Sequence, residues 1–303
     1  MLVAEKLLLK PADYIDLLRP KQWVKNLFVL SPLFFAGQFT EAQKLLLPVC
    51  GMVAFSLVAS GMYVLNDYRD MVVDRLHPVK CKRPLASGAI PVSQAFALMA
   101  FCLVVGMALA FVVQTTFAFL LSLYVGLNLG YSFGLKNVPI LDVFIIASGF
   151  VLRIVCGGIL AAVPVSQWLV VMIFLLSLFL GLAKRRDDLL IRDASQTAVR
   201  KVIKYYNHDF LNACITMVSG IIIVAYLMYT LSPQVMERFG SAHVYGTSVF
   251  VIGGIMRYLQ LIYVDNKTGS PTEIFYKDRF IQLTILLWIV SFYVIIYYPN
   301  LFK

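Results

Sequence analysis

Asn66-Asp67-Tyr68-Arg69-Asp70-Met71-Val72-Val73-Asp74-Arg75 follows a long apolar segment, residues 45–65, and so continues a helix that leaves a membrane. At about 100° per residue, the side chains of Asn66, Asp67, Asp70 and Asp74 fall within about a quarter-turn of one helix face. Three carboxylates on one face repel each other, and ionised groups beside hydrocarbon are costly and usually functional. We therefore expect these four residues to form a catalytic cluster. Because Asp67, Asp70 and Asp74 offer only oxygen ligands, the expected cation is a hard one such as Mg²⁺.

Basic residues surround this acidic face. Mg²⁺ commonly joins protein carboxylates to the phosphates of a ligand, and five cations in the same stretch would suit such a ligand: Arg69, Arg75, Lys80, Lys82 and Arg83. The alternative is a charged, solvated loop between two membrane helices. We favour a site, because a plain loop has no reason to place acids at positions i, i+3 and i+7.

The composition indicates a polytopic membrane protein. Hydrophobic residues make up 60% of the 303 residues and charged residues only 14%, which excludes an ordinary soluble core. We predict an all-α fold in one domain, residues 1–303, with residues 1–20 as an amphipathic lead-in and no cleaved signal peptide. Nine apolar segments have the length of a membrane span: 24–39, 45–65, 94–113, 116–133, 140–161, 168–183, 210–232, 243–264 and 280–298.

The distribution of Lys and Arg predicts the orientation. With residue 1 in the cytoplasm, nearly all basic residues lie in the segments 1–23, 66–93, 134–139, 184–209 and 265–279. The segments on the other side contain only Lys44 and Arg238, plus the terminal Lys303, so the positive-inside rule favours this orientation. It also accounts for much of the net charge of +10, which therefore needs no nucleic-acid partner.

Three further groups are candidate substrate contacts. Lys184, Arg185 and Arg186 follow the sixth span and are interpreted either as membrane anchors or as a clamp for a phosphate. Arg153 lies eleven residues after Asp142, three helical turns, and requires an anion that is either a carboxylate or a ligand. The remaining candidates are Lys21, Lys25 and Asn26 before and within the first span, where a lipid phosphate could enter, and Tyr131 and Lys136 at the end of the fourth.

The motif Asn66-Asp67-x-x-Asp70-x-x-x-Asp74 in a nine-span chain resembles the UbiA superfamily of intramembrane prenyltransferases. The resemblance implies nine helices around a central cavity that opens to the cytoplasmic side, and an Asp-rich motif that binds Mg²⁺ and a diphosphate. Typical members carry a second motif, D-x-x-x-D, after the sixth helix. Asp187, Asp188 and Asp193 do not have that spacing, and three basic residues precede them.

Five segments are similar to the decaprenyl-phosphate phosphoribosyltransferase branch of this superfamily: 19–26, 77–84, 131–139, 152–153, and 269–273 together with 277–279. The resemblance implies Mg²⁺-dependent transfer of 5-phosphoribose from phosphoribosyl diphosphate to a polyprenyl phosphate in a prokaryotic inner membrane, as a step of cell wall biosynthesis. The extra 5-phosphate would require Lys or Arg where other members hold a second metal. No general base is evident, since neither His77 nor His208 is expected to sit in a dyad.

Two other functions remain open. An ordinary prenyltransferase would move a prenyl group from its diphosphate to an aromatic or other acceptor. A transporter would need polar residues through the depth of several helices, whereas here they cluster at one face. The sequence does not indicate an oligomeric state.

Overall fold

The chain is helical throughout the part that the structure describes. The computed structural model describes residues 11–77, 79–195, 201–265, 274 and 277–298, and it contains no β-strand within them. This confirms the predicted all-α fold.

Twelve α-helices are described, numbered here in chain order: α1 Pro11–Leu18, α2 Ser31–Phe35, α3 Ala42–Arg75, α4 Pro84–Ser87, α5 Val92–Val113, α6 Thr115–Phe133, α7 Leu141–Leu160, α8 Gln167–Ser195, α9 His208–Thr230, α10 Pro233–Phe239, α11 Ser248–Tyr263 and α12 Arg279–Tyr297. Five 3₁₀ helices connect them: Pro20–Leu30, Lys80–Lys82, Leu135–Asn137, Lys201–Tyr205 and Ala242–Thr247.

The longest helix, α3, carries the acidic motif. Its 34 residues give a length of about 50 Å, well beyond the hydrocarbon thickness of about 30 Å. Its first part supplies the apolar residues of the predicted span, and its last turns carry residues 66–75. The prediction that the acidic stretch continues the preceding membrane helix is therefore confirmed.

Seven described helices are long and apolar enough to cross a membrane: α3, α5, α6, α7, α8, α9 and α12. The predicted count of nine is not reproduced. Residues 24–39 form the end of a 3₁₀ helix followed by the short α2, and residues 243–264 form a 3₁₀ helix followed by α11, which has 16 residues. Apolar composition predicted these two segments, but composition does not distinguish one helix from two consecutive pieces.

The chain forms two compact units. The first comprises Met1–Ile145, Leu152–Val165 and Ser195–Val202, and the second comprises Ile146–Val151, Ser166–Ala194 and Ile203–Lys303. In the first unit, α3, α5, α6 and α7 enclose a core that includes Phe55, Phe117 and Leu121. In the second, Tyr226 of α9 is hydrogen-bonded to Thr247 at 2.6 Å and accepts from the indole of Trp288 at 2.7 Å. Each unit therefore has its own packed interior.

Two predicted cytoplasmic loops are partly helical. The segments 66–93 and 184–209 begin inside α3 and α8, which end only at Arg75 and Ser195. Charged residues ended the apolar segments in the sequence, but charge does not end a helix, because Lys, Arg and Glu favour helical structure and Asp tolerates it.

Candidate active site

The acidic face of α3 points into the first unit. Asp67 and Asp74 are only 2% and 3% exposed, and Asn66 and Asp70 are half-buried. The residues between them, such as Tyr68 and Val72, are exposed. The helical periodicity of the sequence therefore placed these four side chains correctly on one face.

Two arginines hold the buried carboxylates of this face. One terminal nitrogen of Arg19 donates to both oxygens of Asp67, the longer contact being 2.7 Å. Nη1 of Arg83 donates to Asp67 at 2.9 Å and to Asp74 at 2.6 Å. Arg19 precedes α3 in the sequence and Arg83 follows it, so segments from both ends of the helix fold back to neutralise this face.

A lysine holds the other pair of acidic-face residues. Nζ of Lys136, in the 3₁₀ turn after α6, donates to Asn66 at 3.2 Å and forms an ion pair with Asp70. The amide of Asn66 also donates to Asp70 at 3.2 Å. Each of the three carboxylates thus has a basic partner from outside α3.

Arg19 was absent from the predicted site residues. Its backbone lies in the left-handed region, with φ 54° and ψ 55°, and it immediately precedes Pro20. This conformation is unfavourable for an arginine before proline, and such strain is typical of functional positions. The guanidinium also lies 5.4 Å from the ring centroid of Tyr63. The sequence signal was the Arg-Pro pair, which was interpreted only as part of a lipid-facing segment.

The donor atoms of the acidic face suit a hard divalent cation. No group of three or more His, Cys, Asp or Glu residues lies close enough to hold a metal within the described residues. Mg²⁺ nevertheless needs only one or two protein carboxylates, because waters and phosphate oxygens complete its shell. Asp67 and Asp74 provide such a pair, since an oxygen of each lies within 2.9 Å of one nitrogen. The residues present therefore fit the predicted metal.

Arg153 of α7 sits in a buried polar network. Its Nε donates to Oδ1 of Asn26 at 2.8 Å, and Nη2 donates to the hydroxyl of Tyr124 at 3.2 Å. The Asn26 amide nitrogen then donates to Ser56 at 2.8 Å, and Ser56 donates to the carbonyl of Met52. Asn26 is only 1% exposed, so its amide fixes the position of the Arg153 side chain.

Gly157 permits this network to form. A Cβ at this position would lie 2.0 Å from the carbonyl oxygen of Val29. Gly157 and Arg153 are one turn apart on α7, and Val29 and Asn26 are three residues apart on the 3₁₀ helix, where positions i and i+3 eclipse. The close approach of the two backbones therefore brings Asn26 and Arg153 together.

Lys25 lies near the same network without an anionic partner among the described residues. It is half-buried, and both Arg153 and Arg19 are close enough to act on it electrostatically. Lys25, Arg19 and Arg153 are thus three neighbouring positive charges. Because no described carboxylate pairs with Lys25, this group can bind an anion.

The other predicted contacts of the first unit are less closely associated. Lys21 is exposed, Arg69 lies over the ring of Phe133 at 4.9 Å, and Nε of Arg75 donates to the carbonyl of Ala86 at 3.1 Å. Lys80 and Tyr131 are half-buried. Arg69 and Arg75 therefore contact groups outside the acidic face.

In the second unit, residues 184–188 form a charged turn of α8. Lys184 pairs with Asp187, and Arg185 donates to Asp188 at 2.7 Å. Arg185 and Asp188 are each 2% exposed, whereas the Lys184 side chain is 33% exposed. Arg186 donates to Asn212 at 2.9 Å and lies over the ring of Tyr263. Of the three basic residues, Lys184 is therefore the most accessible.

His77 and His208 have structural partners. Nδ1 of His77 accepts from the backbone N–H groups of Val79 and Lys80, which shapes the turn after α3. His208 pairs with Asp193 at 2.8 Å, a pair that the sequence interpretation missed because fifteen residues separate them. Both members are about 40% exposed, and the pair belongs to the second unit.

The last segment with a family resemblance is only partly described. Residues 269–273 lie outside the described residues. Asp278 accepts from the N–H of Ile281 at 3.0 Å and caps α12, and it also accepts two hydrogen bonds from Arg257. These bonds hold the pKa of Asp278 below its usual value.

Comparison with known proteins assigns the chain to a family. The model of the UbiA prenyltransferase family matches residues 27–283. The chain belongs to the UbiA prenyltransferase family. It is therefore a multi-pass membrane protein and a transferase, as the acidic motif on α3 indicated.

Named relatives cover almost the whole of this UbiA-family chain. A decaprenyl-phosphate phosphoribosyltransferase of Mycolicibacterium smegmatis is 31% identical over 94% of this chain and 92% of its own length. One of Corynebacterium glutamicum is also 31% identical, over 95% of this chain and 88% of its own length. A UbiA homologue from Archaeoglobus fulgidus, solved with DMAPP and Mg²⁺, superposes with a TM-score of 0.69 at 18% identity, covering 94% of this chain and 99% of that structure. It supports the fold.

Proposed function

We propose that this protein transfers 5-phosphoribose from phosphoribosyl diphosphate to a polyprenyl phosphate, releasing diphosphate. The observation that carries the proposal is the full-length similarity to two enzymes named for this reaction with decaprenyl phosphate. The polar geometry is consistent with it, because both substrates are anionic and the first unit gathers Arg19, Lys25, Arg83, Lys136 and Arg153.

The leaving diphosphate is assigned to the acidic face. Asp67 and Asp74 would hold Mg²⁺, with Asp70 and Asn66 beside them on the same face, and the bound metal would supply Lewis-acid neutralisation of the leaving group. Arg83 and Lys136 already reach this face and can donate to phosphate oxygens. Arg69, Arg75, Lys80 and Tyr131 are proposed as outer contacts to the donor.

The acceptor phosphate is assigned to the cations around Arg153. Lys25 and Arg153 would bind the phosphate, Asn26 would hold Arg153 in place, and the exposed Lys21 would guide the lipid head. A phosphate acceptor is already an anion at neutral pH, so it needs no general base. His77 has a structural role, which agrees with that requirement.

The 5-phosphate of the donor is assigned to the charged turn of α8. Lys184 is the most accessible of the three basic residues there, so it is the strongest candidate for direct contact. Arg186 is a second candidate. The buried Arg185 is assigned the role of holding Asp188.

Residues 1–303 are proposed to act as one UbiA-like domain, because the family match extends over both units. The surplus of Lys and Arg in segments such as 66–93 supports a cytoplasmic N-terminus and a site at the cytoplasmic face. Bacterial relatives support the inner membrane as the location.

The deciding experiment offers purified protein two substrate pairs in the presence of Mg²⁺. One pair is phosphoribosyl diphosphate with polyprenyl phosphate, and the other is a prenyl diphosphate with 4-hydroxybenzoate. We expect a phosphoribosylated lipid from the first pair and no product from the second. Product from the second pair alone would establish an ordinary prenyltransferase.

A further inference from the structure

Arg83 binds two carboxylates through one nitrogen. Its Nη1 lies 2.9 Å from an oxygen of Asp67 and 2.6 Å from an oxygen of Asp74. These aspartates are seven residues apart, which is two turns of α3, and both are almost fully buried. A positively charged nitrogen therefore stands between two buried anions, where it offsets their mutual repulsion.

A divalent cation would compete with Arg83 for this position. The Arg83 guanidinium occupies the space between one oxygen of Asp67 and one oxygen of Asp74. Two cations cannot share that space, because they overlap sterically and repel each other. A metal held by these two oxygens would therefore displace Arg83.

Arg83 is better placed to leave than Arg19. Both side chains are about a quarter exposed, but Arg83 stands at the start of the four-residue α4 in a short connection after α3. Arg19 contacts Asp67 alone and is held by the strained backbone before Pro20 and by the ring of Tyr63. When Arg83 leaves, Arg19 still neutralises part of the charge on Asp67.

We propose that Arg83 is an exchangeable counter-ion of the acidic face. Without metal it holds Asp67 and Asp74 together, and when a divalent cation binds it turns to the phosphate oxygens of the incoming diphosphate. The inference rests on the proposed metal site and deepens it. It does not depend on whether the diphosphate belongs to a ribosyl or a prenyl donor.

The exchange couples the two ligands energetically. A metal ion that binds alone must displace Arg83 from two carboxylates and leaves the guanidinium without an anion. A metal ion that binds with diphosphate displaces the same side chain but provides it with new phosphate partners. Binding of either ligand therefore promotes binding of the other, which is a reciprocal effect. The free metal alone should occupy the site weakly.

The test measures metal and diphosphate binding separately on the purified full-length protein. Mn²⁺ binding is followed by electron paramagnetic resonance without any substrate, and binding of radiolabelled inorganic diphosphate is followed by equilibrium dialysis at saturating Mg²⁺. The variants are Arg83→Gln and Arg83→Lys. The matched control is Lys82→Gln, which removes one positive charge from an exposed neighbouring side chain.

We expect opposite changes in the Arg83→Gln variant. Mn²⁺ should bind about ten-fold more tightly, because the metal no longer has to break the charge-assisted hydrogen bonds that Arg83 makes in the wild type. Breaking such bonds lowers an affinity by at least about ten-fold. Diphosphate should bind about ten-fold more weakly, because one of its cationic contacts is lost. Arg83→Lys should lie between the wild type and Arg83→Gln in both assays, and Lys82→Gln should change Mn²⁺ affinity by less than about two-fold.

Other outcomes overturn the inference. Weaker binding of both ligands would mean that Arg83 only keeps the carboxylates in place. Unchanged or undetectable Mn²⁺ binding in Arg83→Gln would mean that Arg83 does not compete with a metal. If Arg83→Gln does not fold, equal Mn²⁺ affinity in Arg83→Lys and the wild type overturns it as well. Failure to use phosphoribosyl diphosphate would refute the proposed function and leave these binding results unaffected.

Discussion

Removing the amide of Asn26 should impair use of the lipid acceptor selectively. Asn26 is 1% exposed and joins Arg153 to Ser56 through two hydrogen bonds, each of 2.8 Å. The Asn26→Ala variant loses both bonds. Arg153 keeps its hydrogen bond to Tyr124 but loses the contact that orients its Nε.

The magnitude follows from these two bonds. A hydrogen bond that involves a charged group contributes about 1.5–3 kcal/mol, and a neutral one about 1 kcal/mol. A total of about 3 kcal/mol corresponds to two decades in an equilibrium or rate ratio. If Arg153 must be held in place to receive the acceptor phosphate, kcat/KM for polyprenyl phosphate should fall by about 100-fold. The KM for the donor should stay within about two-fold.

The assay compares three variants by steady-state kinetics with each substrate varied in turn. Asn128→Ala is the matched control, because the amide of Asn128 donates to the backbone carbonyl of Tyr124 at 2.8 Å rather than to Arg153. Asn26→Asp places an anion beside Arg153, so it should keep the fold and still weaken acceptor binding. Equal losses for both substrates in Asn26→Ala, or normal acceptor kinetics in Asn26→Asp, would refute the assignment of Arg153 to the acceptor.

Four shorter predictions concern the rest of the molecule. Single Asn replacements of Asp67, Asp70 and Asp74 should each lower turnover by about two orders of magnitude, since they weaken the electrostatic stabilisation of the leaving group; near-normal rates in all three folded variants would contradict a metal site on α3. Lys25→Ala should raise the KM for polyprenyl phosphate about ten-fold and the donor KM much less, and equal increases would indicate a general defect. Lys184→Ala should weaken binding of phosphoribosyl diphosphate by about one to two decades but hardly affect binding of an analogue without the 5-phosphate. If the loss from Lys184→Ala and the loss from removing the 5-phosphate simply add in this double cycle, Lys184 is a membrane anchor. The hydrogen bonds from Arg257 lower the pKa of Asp278 in the folded protein. Its contribution to stability is therefore complete above the ordinary pKa of 3.8 and is lost as the pH falls through the lower folded-state pKa. Melting temperatures measured down to pH 3 should fall less steeply for Asp278→Asn than for the wild type, and parallel curves would refute this.

Local patterns in the sequence predicted the acidic face correctly. Helical periodicity depends only on residues that are close in sequence, so Asn66, Asp67, Asp70 and Asp74 could be placed on one side of α3 without any tertiary information. The same pattern placed Tyr68 and Val72 on the exposed side. Boundaries were less predictable, because the charged residues after position 65 end the apolar segment but not the helix.

The partners of the acidic face could not be predicted from periodicity. Arg19 and Lys136 lie 48 and 66 residues from the aspartates that they contact. Such pairs depend on how separate helices pack, which a pattern within one helix does not determine. The strained backbone at Arg19 is likewise a tertiary feature, since a left-handed residue before proline persists only where the surroundings enforce it. Five basic residues near the motif indicated an anionic environment, but not which cation meets which carboxylate.

The charged turn of α8 provides a contrast with the acidic face of α3 that bears on where a metal can enter. On α8, Arg185 and Asp188 form an ion pair within one helix, and both are only 2% exposed. Removing one partner from such a buried pair typically costs about 3–5 kcal/mol, and an entering metal would have to separate these two partners. On α3, Arg83 comes from another segment and remains 26% exposed, so water can solvate it when it leaves the carboxylates. The exchange of a basic side chain for a divalent cation is therefore favoured on α3, whereas the carboxylate of Asp188 stays with Arg185.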